Sequence, residues 1–144
     1  RRSGRAGLRA PLTTTTMAED FTLPLRRAII SHLKGDAAVT ARVPDERVYG
    51  LRQPADAFAD GKFVRYGPPA TTPAGKGSET DVTLHVFTKG AFDDECCEIA
   101  KALVTSLDER TLTLASGEKA QIHWRGTQII ADSAEANAWH GLVR

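Results

Sequence analysis

The chain has 144 residues, 41% hydrophobic and 26% charged, with a formal net charge of +1. That is the length of one ordinary domain. The apolar content excludes disorder of the whole chain, and no apolar run approaches the roughly 18 residues of a membrane-spanning helix.

The near-neutral total hides an asymmetry. Residues 1–16 carry Arg1, Arg2, Arg5 and Arg9 and no acid; the rest holds 15 basic against 18 acidic residues, a net of −3. A basic arm over residues 1–22 is therefore expected ahead of a single domain over 23–144. Met17 is the only methionine, and translation from it would leave residues 1–16 as an upstream extension. Two readings of the arm stay open: a tail or start-site artefact, or a basic segment for an acidic surface or phosphate. It lacks the apolar core of a secretion signal.

The first periodic segment runs from Leu23 to Lys34. Leu25, Ile29 and Leu33, with Ile30 beside them, form one helical stripe. Thr22 is the expected N-cap, Pro24 falls in the first turn, and Gly35 suits the stop. A short helical turn is expected between Ala37 and Val43. Arg47–Gly50 reads as a short strand and residues 51–61 as a loop. Lys62–Tyr66 reads as a second strand, with Phe63 and Arg65 on one face and Val64 and Tyr66 on the other.

Residues 67–78 hold three prolines and three glycines, which predicts an irregular connection, the long tip of a hairpin. Glu79–Thr88 follows as the clearest strand, Val82, Leu84 and Val86 alternating with Thr83, His85 and Phe87. Phe92–Asp108 reads as the best helix, with Cys96, Ile99, Ala100, Leu103 and Leu107 on its core stripe. Asp93, Asp94 and Glu95 complement its positive end. Leu112–Leu114, a Ser116–Gly117 turn and Ala120–Ile130, interrupted at Gly126, lead through a polar loop to a last strand over Ala138–Arg144. The expected class is α+β: two helices packed on a mostly antiparallel or mixed sheet of about four to five strands, with a long hairpin loop.

Catalytic patterns do not appear. His32, His85, His123 and His140 fit no zinc spacing, and the sequence holds no nucleophile elbow, Walker loop or dinucleotide fingerprint. Gly75-Lys76-Gly77-Ser78 echoes a phosphate loop but lies between strands. The three acids at 93–95 lack a second cluster or a spaced histidine for a metal. Cys96 and Cys97 are adjacent, so a mutual disulfide is disfavoured; Cys96 suits core packing. Aromatics are 6% and do not interleave with basic residues, which argues against a nucleic-acid platform. No catalytic residue, cofactor or metal is expected, and the remaining pattern is that of an interaction module.

The helix Leu25-Arg26-Arg27-Ala28-Ile29-Ile30-Ser31-His32-Leu33-Lys34, leading through Asp36-Ala37-Ala38-Val39 to Arg47-Val48-Tyr49, resembles the opening of the small tail-completion proteins of long-tailed phages and gene transfer agents. Thr83-Leu84-His85-Val86-Phe87 before an amphipathic helix is similar to theirs, as is the ending Trp139-His140-Gly141-Leu142-Val143-Arg144. The resemblance covers about residues 23–144. The family's last strand runs further than Arg144, and the segment before Met17 has no counterpart in its pattern.

The resemblance implies a non-enzymatic tail terminator. It would form a homo-oligomeric ring, a hexamer, on the last ring of tail tube protein, stop tail growth and offer the surface that meets the head-tail connector or stopper protein. Double-stranded DNA would pass through its lumen without specific binding, and no membrane would be involved. Its place would be the neck of the virion, after assembly in the host cytoplasm. The 67–78 loop is expected to pack on the tube or an adjacent subunit, with Arg65, Pro69, Thr72, Lys76, Glu79 and Asp81 at the contact; a solvated loop is the alternative. Competing readings are another neck or minor tail ring protein, such as a head-completion protein, a small thiol enzyme using Cys96 or Cys97, and a DNA-binding protein using the basic arm.

Overall fold

A computed structural model of the chain describes residues 20–75, 77–132, 134 and 136–144. The basic arm, through residue 19, lies outside the described residues. No helix among the described residues is long and apolar enough to cross a membrane.

Helix α1 spans Thr22–Gly35 and buries Ile29 and Leu33, the centre of its predicted stripe. Thr22 is not its cap: it is the first helical residue, and the Asp20 carboxylate accepts the Thr22 N–H at 2.9 Å. The chain then turns at Asp36, whose carboxylate accepts the Ala38 N–H at 2.9 Å and so caps the one-turn helix α2, Ala37–Thr40. The same carboxylate accepts the Ser106 hydroxyl at 2.5 Å, and that bond holds the Asp36 pKa below its ordinary value. One acid thereby joins the α1–α2 corner to the second long helix, α3, Asp94–Leu107.

Strands β1 (Val48–Tyr49), β2 (Lys62–Tyr66), β5 (Leu84–Lys89), β9 (Ala138–Val143) and β8 (Thr127–Ala131) form one sheet in the order β1-β2-β5-β9-β8. The β1–β2 pair is parallel and the rest antiparallel, so the sheet is mixed. Val64, Val86, Gly141 and Ile129 stand in one cross-strand row, because Val86 faces both Val64 and Gly141 while Gly141 faces Ile129. Helices α1 and α3 cover this face, joining Leu33, Ile99, Leu103 and Leu107 to Val64, Tyr66, Leu84, Val86 and Val143 in one core. The class is α+β.

Two ribbons depart from the sheet. The connection over residues 67–78 is not irregular: β3 (Ala70–Ala74) and β4 (Gly77–Asp81) pair in register from Ala70–Asp81 to Ala74–Gly77. Proline fits there because Pro68 and Pro69 precede the ribbon, and a strand of a two-stranded ribbon has a free edge where a missing N–H costs little. The strand read over 79–88 accordingly breaks between β4 and β5. The second ribbon pairs β6 (Thr111–Thr113) with β7 (Lys119–Gln121). The interruption expected at Gly126 extends over the five residues between β7 and β8, so 120–130 is not one strand.

Leu103 of α3 is fully buried in the core that joins the helices to the sheet. Leu103→Ala should lower unfolding stability by about 2–5 kcal/mol, the cost of a core cavity. Urea unfolding of the two proteins would read this as a lower midpoint at unchanged slope.

Candidate assembly surfaces

The residues expected at a contact divide between two places. Thr72 and Glu79 are a cross-strand pair on the exposed side of the β3–β4 ribbon, and Asp81 is exposed at its base. Pro69 lies just before β3. Lys76 lies outside the described residues. Arg65 is elsewhere: it stands on the sheet face away from the helices, where its guanidinium donates to the Gln53 amide oxygen at 3.1 Å and lies 5.5 Å from the Phe87 ring centroid. The ribbon is tied down from its other side. The Thr71 and Thr80 hydroxyls lie 2.9 Å apart, and Thr71 reaches the Thr22 hydroxyl at 2.6 Å, fastening the ribbon to the start of α1.

Between the two ribbons runs a groove of about 1200 Å³. Leu25, Ile29, Leu103, Leu107 and Val143 supply its apolar lining. Residues 77–84 form one wall and 118–125 the other. Trp124 stands in the second wall, 46% exposed, its indole N–H on the Thr127 hydroxyl and its backbone N–H on the Asp108 carboxylate. Asp81 and Arg125, both highly exposed, face each other at 3.8 Å; such a pair contributes little to stability.

The sheet face away from the helices carries a ladder of flat side chains, from the fully buried Phe63 to the half-buried Phe87, His85 and His140. Phe63 stacks on Phe87 at 4.7 Å between centroids, and Phe87 on His140 at 4.3 Å. Phe58, from the short turn Ala57–Asp60, meets Phe63 edge-on at 4.9 Å. His85 Nδ1 and His140 Nε2 lie 2.7 Å apart, a hydrogen bond that needs one N–H and one lone pair. Burial, then the charges of Arg65 and the other cations, bring the His85 pKa down from 6.5 to about 4; burial also lowers His140. Both shifts favour the neutral rings. Gly67 leaves room for this pair: a Cβ there would fall 2.7 Å from His85 Nε2 and 2.8 Å from the Thr83 carbonyl oxygen. Sequence reasoning placed His85 on a strand but missed its partner, because the pairing depends on the β5–β9 register.

The other candidate groups have structural partners. Of the acids at 93–95, Glu95 faces Arg42 at 3.5 Å and Lys62 at 3.3 Å, joining α3 to β2 and to the turn that follows α2. Cys96 is buried and its thiol is pushed up to about 11 by burial. Cys97 is exposed, and desolvation and neighbouring acids raise its pKa too. A nucleophilic cysteine needs the opposite shift. His123 meets Glu109 at 3.0 Å in the open. Among the described residues no three His, Cys, Asp or Glu side chains gather as metal ligands would.

A family model described as "Tail completion protein gp17" matches residues 27–144. A chain of the solved structure titled "Virion of native gene transfer agent (GTA) particle" shares the fold with a TM-score of 0.69 and 21% identity, over 83% of this chain and 89% of that one. Among curated proteins, none matches.

The histidine pair sets a pH dependence with a definite sign. The folded pKa of His85 lies below 6.5, so the unfolded chain binds more protons between pH 6.5 and 4, and stability falls as pH falls through that window. Chemical unfolding at pH 7 and 4.5 should show this loss, and the double variant His85→Gln, His140→Gln should flatten it. An equally steep loss in the variant would assign it to other groups.

Proposed function

The chain belongs to the tail completion protein gp17 family, and from that membership we propose that it is a tail terminator. The match over residues 27–144 carries this reading, since it takes in both long helices from Arg27 on, the sheet and both ribbons. The likeness in fold to a chain of a gene transfer agent virion supports a place in a particle. In this reading copies of the chain close into a hexameric ring on the last ring of tail tube protein. The ring ends tail growth and offers its far side to the head-tail connector or stopper protein.

The physical form of the domain suits such work. Ring closure needs two different, complementary patches on each subunit. Ribbons that project from a packed body are means of reaching a neighbour. The exposed side of β3–β4, with Thr72, Glu79 and Asp81, and the adjoining Pro69 are assigned to the tube or the adjacent subunit; Lys76, outside the described residues, is assigned to the same contact from its place in the sequence. Arg65, on the separate aromatic face, belongs to a second contact. The net of −3 over residues 17–144 repels DNA phosphate, so double-stranded DNA passes the lumen without adhering. The protein acts in the neck of the virion, after assembly in the host cytoplasm.

Removing residues 69–77 tests the ribbon's part. The shortened protein should still unfold cooperatively but fail to cap tubes, and particles assembled with it should carry tails longer than normal in electron micrographs. The surface variant Thr72→Lys, Glu79→Lys, which leaves the core untouched, should weaken capping in the same direction. Normal tail length with both variants would reject the assignment.

A further inference from the structure

Both walls of the groove are strands, and each turns a free edge toward it. All five residues of β4, Gly77–Asp81, line the groove, while none of β3 does. Lys119, Ala120 and Gln121 of β7 line it, while none of β6 does. Among the described residues β4 pairs with β3 alone and β7 with β6 alone. In each ribbon the groove-side strand is therefore paired on its far side, and its near edge joins no ladder. A slot with a strand edge for a wall and Leu25, Ile29, Leu103 and Leu107 for a floor suits an extended polypeptide. Its backbone would bond the edge, and alternate side chains would meet the floor.

We propose that the slot holds this chain's own segment Leu12–Met17, laid as an added strand along the free edge of β4. The position of the chain selects that occupant. The described residues begin at Asp20, and Phe21 is itself part of the groove lining. The start of α1 is fastened to the same ribbon, the Thr22 hydroxyl lying 2.6 Å from that of Thr71, and Thr71 lying 2.9 Å from Thr80 of β4. The 19 residues before Asp20 thus leave from the groove wall. Ala18, Glu19 and Asp20 are the whole tether between Met17 and Phe21, which sets an effective concentration of about a millimolar or more. Leu12-Thr13-Thr14-Thr15-Thr16-Met17 has the composition of a strand, four β-branched residues between two apolar ones. Six extended residues span about 20 Å, against about 17 Å for the five of β4. Alternation places Thr13, Thr15 and Met17 on one face for the apolar floor. Charge does not choose the occupant, because Glu79, Asp81, Asp108 and Glu118 share the groove with Lys119, Arg125 and Arg144; tether and strand edge do. The seat uses the edge of β4 and leaves the outer side of the ribbon to the contact assigned above.

Hydrogen exchange on the full chain, compared with a chain beginning at Met17, tests the seat. Amides of residues 77–81 should exchange about 10-fold or more faster in the shortened chain, while those of α3 stay unchanged. The full-length variant Thr14→Pro, Thr15→Pro keeps the arm and its charge but removes strand donors in either register, and it should show the same increase. Equal exchange of residues 77–81 in all three proteins would overturn the inference. Protection that grows with protein concentration would also overturn it, because a second copy's arm would then fill the slot. So would protection lost in about 1 M salt, which would assign the cover to the arginines instead of a strand. None of these readouts involves tubes, so the terminator reading stands or falls separately.

Discussion

The close approach of α3 to the sheet at Gly141 is the contact from which the other positions follow. A Cβ at that residue would lie 3.1 Å from Cys96 Sγ and 3.1 Å from Ile129 Cδ1, so a side chain there would push both neighbours back by a few tenths of an ångström. Cys96 then rests over β5, its thiol 3.9 Å from the Val86 carbonyl, and the row Val64–Val86–Gly141–Ile129 closes beneath the helix. With α3 held against β5 and β9, Leu103 and Leu107 reach the groove and the turn before α3 carries Phe92 outward. Interiors packed to this density transmit position rather than absorb it.

Periodic burial made much of this fold readable before any coordinates. The stripe Leu25–Ile29–Leu33, the stripe Cys96–Ile99–Leu103 and the alternation Leu84–Val86 each report contact with one core, and each element is found where its pattern lies. The β3–β4 ribbon escaped because its cue is weak: Thr71 and Thr80 face inward but bury only hydroxyls against α1, while the prolines read as loop. The groove escaped for a different reason. Its lining comes from α1, α3, β4, β7 and the end of β9, and no local pattern reports that they meet. The histidine pair likewise requires the register that sets Phe87 beside His140. Thr22 is not the cap because the helix begins one residue earlier, the Leu25 N–H bonding the Phe21 carbonyl, and because the Thr22 hydroxyl is engaged by Asp20 and Thr71.

Function in a small assembly protein resides in shape and in the surfaces left uncovered. The described chain keeps its thiols at raised pKa and Glu95 of its acid cluster engaged with Arg42 and Lys62, which turns these residues toward structure. What remains outward among the described residues is one ribbon with a polar exposed side, an apolar groove and the exposed phenylalanine Phe92.

The most direct measurement is the mass of the protein bound to purified tail tubes, read by native mass spectrometry or light scattering, with labelled protein located by electron microscopy. A tail terminator gives one closed ring of six copies at one end of each tube. Protein that stays monomeric beside the tubes, or that coats their length, contradicts that account.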